Sequence, residues 1–269
     1  MKLLKITLIL LLIAVVVLYG ATMITQRLSG KDQGPEISCP EGILEVSVRD
    51  PESVLLAGVT ASDKQDGNLT SRIQILSISK LITNNTAKVT YLVFDSHGNM
   101  DTLVRQIRYT DYSRPVFAIK RPLIYTKNEA IALLDRLQVT DVIDGDITGS
   151  IRVSALSATS DSNIYTVSLQ VTNSMGDTSR LTVPVVLQDN TTYCPDIRLN
   201  SYLVYMAVGE AFNAQNYLTS LSTIEGAVDI SNVQITSTVD TSTAGTYYVY
   251  YRYPYNGTMG LAVLTVVVQ

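Results

Sequence analysis

Apolar and polar residues alternate with a period of two along most of the chain beyond residue 35. The alternating segments are rich in valine, isoleucine, threonine and tyrosine, which is typical of β-strands with one buried face. They are Ile43–Val48, Ile73–Ser79, Lys88–Asp95, Asp101–Thr110, Tyr165–Thr172, Arg180–Leu187, Tyr247–Tyr255 and Leu261–Val268. One helical turn is predicted in Lys127–Leu137, and Glu210–Leu218 occupies the same place later in the chain. The pattern therefore predicts an all-β fold.

The N-terminal segment Ile6–Gln26 does not alternate; it is 21 residues long and uncharged, and Lys2, Lys5 and Arg27 flank it. A helix of this length spans about 30 Å, which matches the hydrocarbon core of a bilayer. We predict one transmembrane helix that acts as an uncleaved signal anchor. The lysines predict a cytoplasmic N-terminus, so the C-terminal domains are expected to be extracytoplasmic.

Two alternatives stay open for this segment. A cleavable signal peptide, cut after Gly20 or Ala21, shares the cationic start, but its apolar region is usually only about 7–15 residues long. The other alternative is a buried core helix.

Two short motifs occur twice in the chain at the same spacing. Asp63–Thr70 (DKQDGNLT) recurs 78 residues later as Asp141–Thr148 (DVIDGDIT), and Asp95–Asn99 (DSHGN) recurs at the same offset as Asn173–Asp177 (NSMGD). Three prolines, 80 residues apart, mark the predicted starts of three units: Pro35, Pro115 and Pro195. A shared offset at two separate motifs indicates tandem repeats.

The repeats divide the chain into a stub, transmembrane segment and linker at 1–30 and domains at 31–111, 112–190 and 191–269. Within each domain a short glycine-containing turn separates the last two strands, which is typical of a β-hairpin. About 80 residues with six or seven short strands fit a small immunoglobulin-like sandwich. The predicted fold is therefore three tandem immunoglobulin-like β-sandwiches preceded by one N-terminal transmembrane helix.

The first two domains share a longer set of motifs. Domain 1 has Gly58–Asp63 (GVTASD), then Asp66–Thr70 (DGNLT) and Tyr91–Asn99 (YLVFDSHGN), and domain 2 repeats the acidic part in Asp141–Thr148. These residues resemble bacterial immunoglobulin-like surface modules of the type found in a pesticidal crystal protein and related to hyalin-type repeats. Domain 3 keeps Gly245–Tyr247 (GTY) but lacks the Asp-x-x-Asp-Gly sequence. The resemblance implies a surface-exposed β-sandwich of a bacterial envelope protein and fixes neither a ligand nor a reaction.

Composition narrows the functional classes. Charged residues make up 16% of the chain and the net charge is −4, which excludes a basic nucleic-acid-binding protein. One histidine, two cysteines and no tryptophan leave few groups for acid-base, metal or thiol chemistry. The sequence also lacks the motifs of the nucleophile elbow, the zinc protease helix and the phosphate loop. We therefore expect a protein that is not an enzyme and has no cofactor.

The repeated acidic loops have two interpretations. One is a calcium site, because calcium takes about six to eight oxygen ligands. The other, which we prefer, is a structural turn, because short Asp and Asn side chains accept hydrogen bonds from nearby backbone N–H groups. The residues concerned are Asp63, Asp66, Asn68, Asp141, Asp144 and Asp146.

Six tyrosines fall on the predicted strand Tyr247–Tyr255. With period-two geometry the odd-numbered residues share one face, and the even-numbered residues share the other. A sandwich core needs only one face, so the second face is a candidate surface for a sugar or a protein partner. The candidate binding residues are Tyr248, Tyr250, Arg252 and Tyr255. The alternative is a strand whose tyrosines only form cross-strand pairs.

Cys39 and Cys194 precede prolines near the starts of domains 1 and 3. A bond between them would fold a linear array back on itself, so two separate thiols are expected, with a disulfide as the alternative. His97 falls in a predicted hairpin turn and is expected to be a solvated turn residue.

These features predict a single-pass membrane protein whose sandwiches act outside the cell as a spacer or an adhesion-type interaction module. Three sandwiches in line would extend about 100 Å. The expected partners are the membrane, through Ile6–Gln26, and a protein or glycan at the cell surface. One alternative is a carbohydrate- or peptidoglycan-binding protein that uses domain 3. Another is a structural subunit of an envelope complex.

Overall fold

The computed structural model describes residues 12–19, 34–127, 129–188 and 193–269. In these ranges the strands form six sheets, of which three have three strands and three have four. Each sandwich combines one three-stranded sheet with one four-stranded sheet, so the described chain contains three tandem β-sandwiches. The prediction of an all-β fold with repeated sandwiches is confirmed.

Sandwich 1 shows the strand order that the other two repeat. Its strands are β1 (Glu36–Ser38), β2 (Leu44–Val46), β3 (Thr60–Asp63), β4 (Gly67–Asn68), β5 (Gln74–Ile78), β6 (Thr86–Phe94) and β7 (Met100–Tyr109). One sheet has the order β1-β3-β4 and the other has the order β2-β7-β6-β5. Strand β2 pairs with β7 in parallel, whereas the other pairs are antiparallel. Consecutive strands β1 and β2 thus belong to different sheets, which joins the two layers at their edge.

Sandwich 2 has the same arrangement. Its strands are β8 (Val116–Ile119), β9 (Ile124–Thr126), β10 (Leu137–Asp141), β11 (Gly145–Asp146), β12 (Arg152–Ala158), β13 (Ile164–Thr172) and β14 (Thr178–Gln188). The sheets have the orders β8-β10-β11 and β9-β14-β13-β12, and β9 runs parallel to β14.

Sandwich 3 completes the series. Its strands are β15 (Asp196–Leu199), β16 (Leu203–Met206), β17 (Leu218–Thr223), β18 (Gly226–Val228), β19 (Gln234–Ser237), β20 (Gly245–Tyr255) and β21 (Thr258–Val268). The sheets have the orders β15-β17-β18 and β16-β21-β20-β19. The strands of the three sandwiches span 36–109, 116–188 and 196–268, and the long hairpins β6–β7, β13–β14 and β20–β21 turn at glycines with positive φ, as predicted.

The regular helices within the sandwiches are short 3₁₀ turns. They are Glu52–Leu56, Thr70–Arg72, Leu133–Arg136, Thr148–Ser150, Ala214–Tyr217 and Ile230–Asn232. The helical turn predicted in Lys127–Leu137 is therefore present only as Leu133–Arg136, and the turn predicted in Glu210–Leu218 is present as Ala214–Tyr217.

The predicted membrane segment falls mostly outside the described residues. Of Ile6–Gln26, the structure describes residues 12–19, which are helical. No helix in the described ranges is long and apolar enough to cross a membrane. The transmembrane helix stays a prediction from the sequence.

The chain divides into two compact units, and within the second unit sandwiches 2 and 3 are not arranged end to end as expected. One unit contains sandwich 1, and the other contains Thr110–Gln269, which is sandwiches 2 and 3 together. Ile164 and Val186 of sandwich 2 and Leu261 and Val263 of sandwich 3 form one buried apolar cluster. Sandwiches 2 and 3 therefore pack against each other through the outer faces of their four-stranded sheets.

The sequence of the final strands explains this packing. In β21, Leu261–Val266 are all buried, since one face covers the core of sandwich 3 and the other covers sandwich 2. Strand β14 is likewise buried without interruption from Val183 to Val186. In β7, by contrast, Thr102, Val104 and Gln106 face solvent. A continuous apolar run indicates a strand with two buried faces, whereas strict alternation indicates one.

Candidate functional site

The acidic motif of sandwich 2 forms a network of turns. Asp141 Oδ1 accepts hydrogen bonds from the backbone N–H groups of Ile143 and Asp144, both at 2.9 Å. The Asp144 carboxylate accepts from Ser174 twice, from its backbone N and its Oγ, both at 2.6 Å. Asp146 Oδ1 accepts from the backbone N of Thr148 at 2.9 Å. The motif therefore ties the β10–β11 turn to the β13–β14 hairpin.

Sandwich 1 repeats these contacts. Asp63 Oδ1 accepts from the backbone N atoms of Gln65 and Asp66, both at 2.7 Å. Asp66 accepts from Ser96 N at 2.5 Å and from Ser96 Oγ at 2.7 Å. Asn68 Oδ1 accepts from Thr70 N at 2.9 Å. The interpretation of these loops as structural turns is thus seen directly in both repeats.

Electrostatics agree with this role. The hydrogen bonds from Ser96 hold the pKa of Asp66 below its usual value, and those from Thr148 do the same for Asp146. In the described part of the chain, no three acid, histidine or cysteine side chains are placed together so that they could hold a metal ion. Calcium binding at these loops stays an untested prediction.

One buried position differs between the two repeats. In sandwich 2, Asn173 Nδ2 donates to Asp141 Oδ2 at 3.0 Å and to the Tyr112 hydroxyl at 2.9 Å. The matching residue in sandwich 1 is Asp95, whose side chain has no N–H group to donate. Asp63 Oδ2 is buried there without a hydrogen-bond partner. The exchange of one amide for a carboxyl thus leaves an unsatisfied acceptor in sandwich 1.

The tyrosines of β20 alternate as predicted, and the odd-numbered ones face the core of sandwich 3. Tyr251 is fully buried, and Tyr247 and Tyr253 pack against the same core. Burial raises the pKa of Tyr251, whose hydroxyl donates to the backbone O of Ala214 at 2.8 Å. Tyr255 is half-buried, and the neighbouring Glu225 carboxylate raises the pKa of its hydroxyl.

The even-numbered residues do not face open solvent, which corrects the expected outward ring surface. Tyr248 and Tyr250 pack against the apolar cluster shared with sandwich 2, and the Tyr248 hydroxyl donates to the backbone O of Thr182 at 3.1 Å. Burial raises the pKa of both tyrosines. The reason is that the outer face of β13 and β14 is itself apolar and covers them. Tyr248 and Tyr250 therefore belong to the contact between sandwiches 2 and 3.

Arg252 lies at the edge of the same contact. Its Nη2 lies 3.5 Å from Asp161 Oδ2 of sandwich 2, and its guanidinium lies over the Tyr250 ring at 4.8 Å from the centroid. The ion pair is partly exposed, with side-chain exposures of 27% for Arg252 and 35% for Asp161. A cation held by an acid and a ring in this way has a fixed orientation.

A cleft of about 610 Å³ opens beside this ion pair, between sandwiches 2 and 3. Sandwich 2 contributes polar side chains at Asp161, Asn163 and Gln188. Sandwich 3 contributes Arg252 and the β20–β21 turn, and Tyr255 lies at the same wall. Two of the four predicted binding residues, Arg252 and Tyr255, therefore border a cavity, while Tyr248 and Tyr250 lie in the buried contact.

Sequence analysis does not identify Asp161, Asn163 or Gln188. They lie in sandwich 2, between 64 and 91 residues before Arg252 along the chain, and no local motif marks them. The sequence signal for this site is the loss of alternation in β14 and β21, which predicts that a further layer covers the outer faces of these strands. The pattern does not show which residues lie at the border of that contact.

The remaining candidates behave as turn and surface residues. Cys39 and Cys194 are not joined by a disulfide, and the Cys194 thiol donates to the backbone O of Met259 at 3.3 Å. His97 lies in the β6–β7 hairpin, where its Nδ1 is 3.3 Å from Ser96 Oγ.

Comparison with known proteins gives no family assignment. No family model matches the chain. A stretch of 119 residues is 34% identical to an uncharacterized 81.3 kDa protein of Acholeplasma phage L2, and it covers 42% of this chain and 16% of the phage protein. The chain thus spans only a small part of that relative.

Three solved structures show how loose the structural likeness is. The M60 catalytic domain with the CBM51-1 and CBM51-2 domains of Clostridium perfringens ZmpB has 13% identity and a TM-score of 0.25, over 87% of this chain and 30% of that one. The protocadherin GammaB4 extracellular domain has 13% identity and a TM-score of 0.21, over 89% and 50%. Domains 4–9 of the surface layer protein SbsC have 12% identity and a TM-score of 0.19, over 86% and 49%. The function proposed below therefore rests on the geometry of the site.

Proposed function

We propose that this chain is a non-catalytic binding protein of the bacterial cell surface, anchored in the membrane by Ile6–Gln26. Sandwiches 2 and 3 act as one binding body, and the cleft between them is the binding site. Sandwich 1 precedes them in sequence as a spacer. This proposal keeps the interaction role expected from the sequence and moves the site from one strand to the junction of two sandwiches.

The observation that carries the proposal is the cleft bordered by both sandwiches. Its volume of about 610 Å³ falls within the range of about 300–1,000 Å³ that is usual for ligand sites. The shared apolar cluster fixes the two walls relative to each other before any ligand arrives. A preformed site loses less conformational entropy on binding than a mobile one.

The side chains of the cleft favour binding over catalysis. Among the described residues that line the cleft, Asp161 is the one acidic side chain, and both of its carboxylate oxygens have partners: Oδ1 accepts from Asn163 N at 3.0 Å and Oδ2 pairs with Arg252. General acid-base catalysis needs a group that is free to exchange a proton with the substrate. An ion-paired carboxylate is better suited to hold a ligand.

The experiment is a topology and extraction assay on the full chain with a C-terminal tag. In intact protoplasts or spheroplasts we expect added protease to remove the tag, and we expect alkaline carbonate to leave the chain in the membrane pellet. The double variant Ile13→Lys/Val16→Lys should release the chain from the pellet, because each charge at the bilayer centre costs about 3 kcal/mol. The matched double variant Thr102→Lys/Gln106→Lys, on the exposed face of β7, should stay in the pellet.

Two results would refute the proposal. One is a tag that protease cannot reach in intact protoplasts but does reach after lysis. The other is a wild-type chain that carbonate extracts as readily as the double-lysine variant.

A further inference from the structure

We infer that the cleft between sandwiches 2 and 3 binds a neutral saccharide. This inference rests on the proposed function, since it names the ligand class of the same site. It is argued from four properties of the cleft: its hydrogen-bonding groups, its charge, its orientation of Arg252 and its aliphatic lining.

The first property is a concentration of planar polar side chains. A carboxylate, two amides and a guanidinium line the cavity, at Asp161, Asn163, Gln188 and Arg252. Together they offer several hydrogen-bond donors and several acceptors. A sugar hydroxyl both donates and accepts, so neighbouring hydroxyls can satisfy an amide or an acid–guanidinium pair at once.

The second property is balanced charge. Among the residues that the structure describes, Asp161 and Arg252 are the charged side chains that line the cleft, and they are paired with each other at 3.5 Å. An anionic ligand would face the Asp161 carboxylate, and a cationic ligand would face the Arg252 guanidinium. A neutral polyhydroxyl ligand can contact both without separating them.

The third property is the preorganised guanidinium. The Arg252 guanidinium pairs with the Asp161 carboxylate, and its Cζ atom lies over the Tyr250 ring at 4.8 Å from the ring centroid. An arginine side chain that is already ordered loses little rotamer entropy when a ligand binds. Its remaining N–H groups can therefore donate to hydroxyl oxygens at low cost.

The fourth property is aliphatic lining beside the polar groups. Val186, Leu261, Pro254 and Met259 line the cleft, and Met259 is 42% exposed. The C–H face of a pyranose ring is apolar and can pack on such a surface. A cleft lined by both polar and aliphatic side chains thus suits a sugar ring, which has hydroxyl groups and an apolar face.

Asn163 provides the cleanest test, because its side-chain amide makes no hydrogen bond within the described part of the chain. Its backbone supplies the structural contacts instead, with Asn163 N donating to Asp161 and Asn163 O accepting from Leu187 N at 2.8 Å. Replacing the side chain should therefore leave the fold unchanged while removing groups that the ligand uses.

The test measures binding of the full chain in nanodiscs to an array of neutral oligosaccharides of glucose, galactose, mannose and N-acetylglucosamine. Sulfated and sialylated oligosaccharides and a random peptide set are included on the same surface. We expect binding to a neutral oligosaccharide, and Asn163→Ala should weaken it about three- to tenfold, which is the effect of losing one hydrogen bond. Asp161→Asn should weaken it further, because it keeps the shape but removes the charge that holds Arg252.

The matched control is Gln170→Ala, on the same sheet of sandwich 2. Gln170 pairs with Arg152 and Arg180 at the end of the sheet away from Gln188, so its loss should not change binding. The melting temperature of each variant shows whether unit 2 is still folded.

Two outcomes would overturn the inference while leaving the proposed function intact. They are no binding to any neutral oligosaccharide by a chain that passes the topology assay, and binding confined to the peptides or to the anionic sugars. Saccharide binding that Asn163→Ala and Asp161→Asn leave unchanged would overturn the inference and would also place the binding site outside the cleft. Failure of the topology assay itself would instead refute the proposed function.

Discussion

Asn173 is a single buried amide that satisfies three polar groups. Its Nδ2 donates to Asp141 Oδ2 and to the Tyr112 hydroxyl, and its Oδ1 accepts from Asp177 N at 2.9 Å. Asn173 and Asp141 are only 5% and 6% exposed, so water does not replace these bonds. The contrast with Asp95 in sandwich 1 shows that the same fold tolerates an unsatisfied acceptor at this place.

The variant Asn173→Asp should destabilise unit 2 by about 2–4 kcal/mol at pH 7, because it removes both donors and places a second carboxylate beside Asp141. The loss should shrink as the pH falls. The pKa of the introduced acid is raised by Asp141, and its protonated form can again donate a hydrogen bond. Denaturant unfolding at pH 7 and pH 4 measures both effects.

The control for this variant is Gln215→Glu, the same chemical change at an exposed position of unit 2. It should alter stability by less than about 0.5 kcal/mol at both pH values. An Asn173→Asp variant that is as stable as the control at pH 7 would refute the role assigned to the amide.

The bond between Asp66 and Ser96 makes sandwich 1 sensitive to acid. Because the pKa of Asp66 is lowered in the folded state, chiefly by the Ser96 hydroxyl, the ionised form stabilises the fold. This stabilisation is present above the unfolded pKa of about 3.9 and is lost as the pH falls through the folded value.

We expect Ser96→Ala to lower the melting temperature of sandwich 1 at pH 7, and we expect this difference to shrink as the pH falls through the lowered pKa of Asp66. Ser77→Ala, at an exposed position of β5, should leave the melting temperature unchanged at every pH. Thermal scans across pH 2–7 give the comparison. A Ser96→Ala difference that persists at the lowest pH would contradict the proposed cause.

At the scale of the element, strands β7, β14 and β21 hold equivalent places in three sandwiches but differ in their outer faces. Their middle residues correspond, since Val104 pairs with Thr90 and Val263 pairs with Tyr250 in the same register. Val104 is 54% exposed, whereas Val263 is 7% exposed against sandwich 2. A valine at the same position of the strand therefore packs against a neighbouring sandwich in sandwich 3 and faces solvent in sandwich 1.

Val263→Asp should lower the stability of unit 2 by about 3 kcal/mol, because it buries an unpaired charge between sandwiches 2 and 3. Val104→Asp, at the equivalent exposed position, should change the stability of sandwich 1 by less than about 0.5 kcal/mol. Urea unfolding of the two variants measures the difference. Equal effects would show that the outer face of β21 is not buried.

The strands show what the sequence alone could predict. Strand positions and hairpins follow from alternation and from glycine turns, both of which are local signals. The burial of Tyr248 and Tyr250 is not local, because it depends on apolar residues of β13 and β14 about 65–85 positions earlier. Period-two geometry correctly placed these rings on the face away from the core, but it could not show what covers that face.

At the scale of the whole molecule, the described chain forms two compact units from three sandwiches. Repeats in the sequence predict the number of sandwiches because each one carries its own motif. They do not predict the number of cooperative units, which depends on the area buried between neighbours. The candidate site belongs to that second level, since its residues come from both sandwiches of one unit.

Calorimetry should accordingly show two unfolding transitions, with sandwiches 2 and 3 melting together because they share a buried cluster. Val263→Asp should divide the larger transition into two, whereas Val104→Asp should not. Three separate transitions in the wild-type chain would contradict the joining of sandwiches 2 and 3.

The acidic motifs of sandwiches 1 and 2 each make their hydrogen bonds within their own sandwich, and this has a consequence for how such repeats evolve. Asp66 binds Ser96 and Asp144 binds Ser174, so a duplicated copy brings its own stabilising contacts and needs none from its neighbours. Gene duplication can therefore add a sandwich without a loss of folding. Substitutions on the outer face of the last strand then do not disturb the core of its own sandwich. Apolar residues at these positions, such as Val263 in β21, can join two neighbouring copies into one unit with a cleft between them.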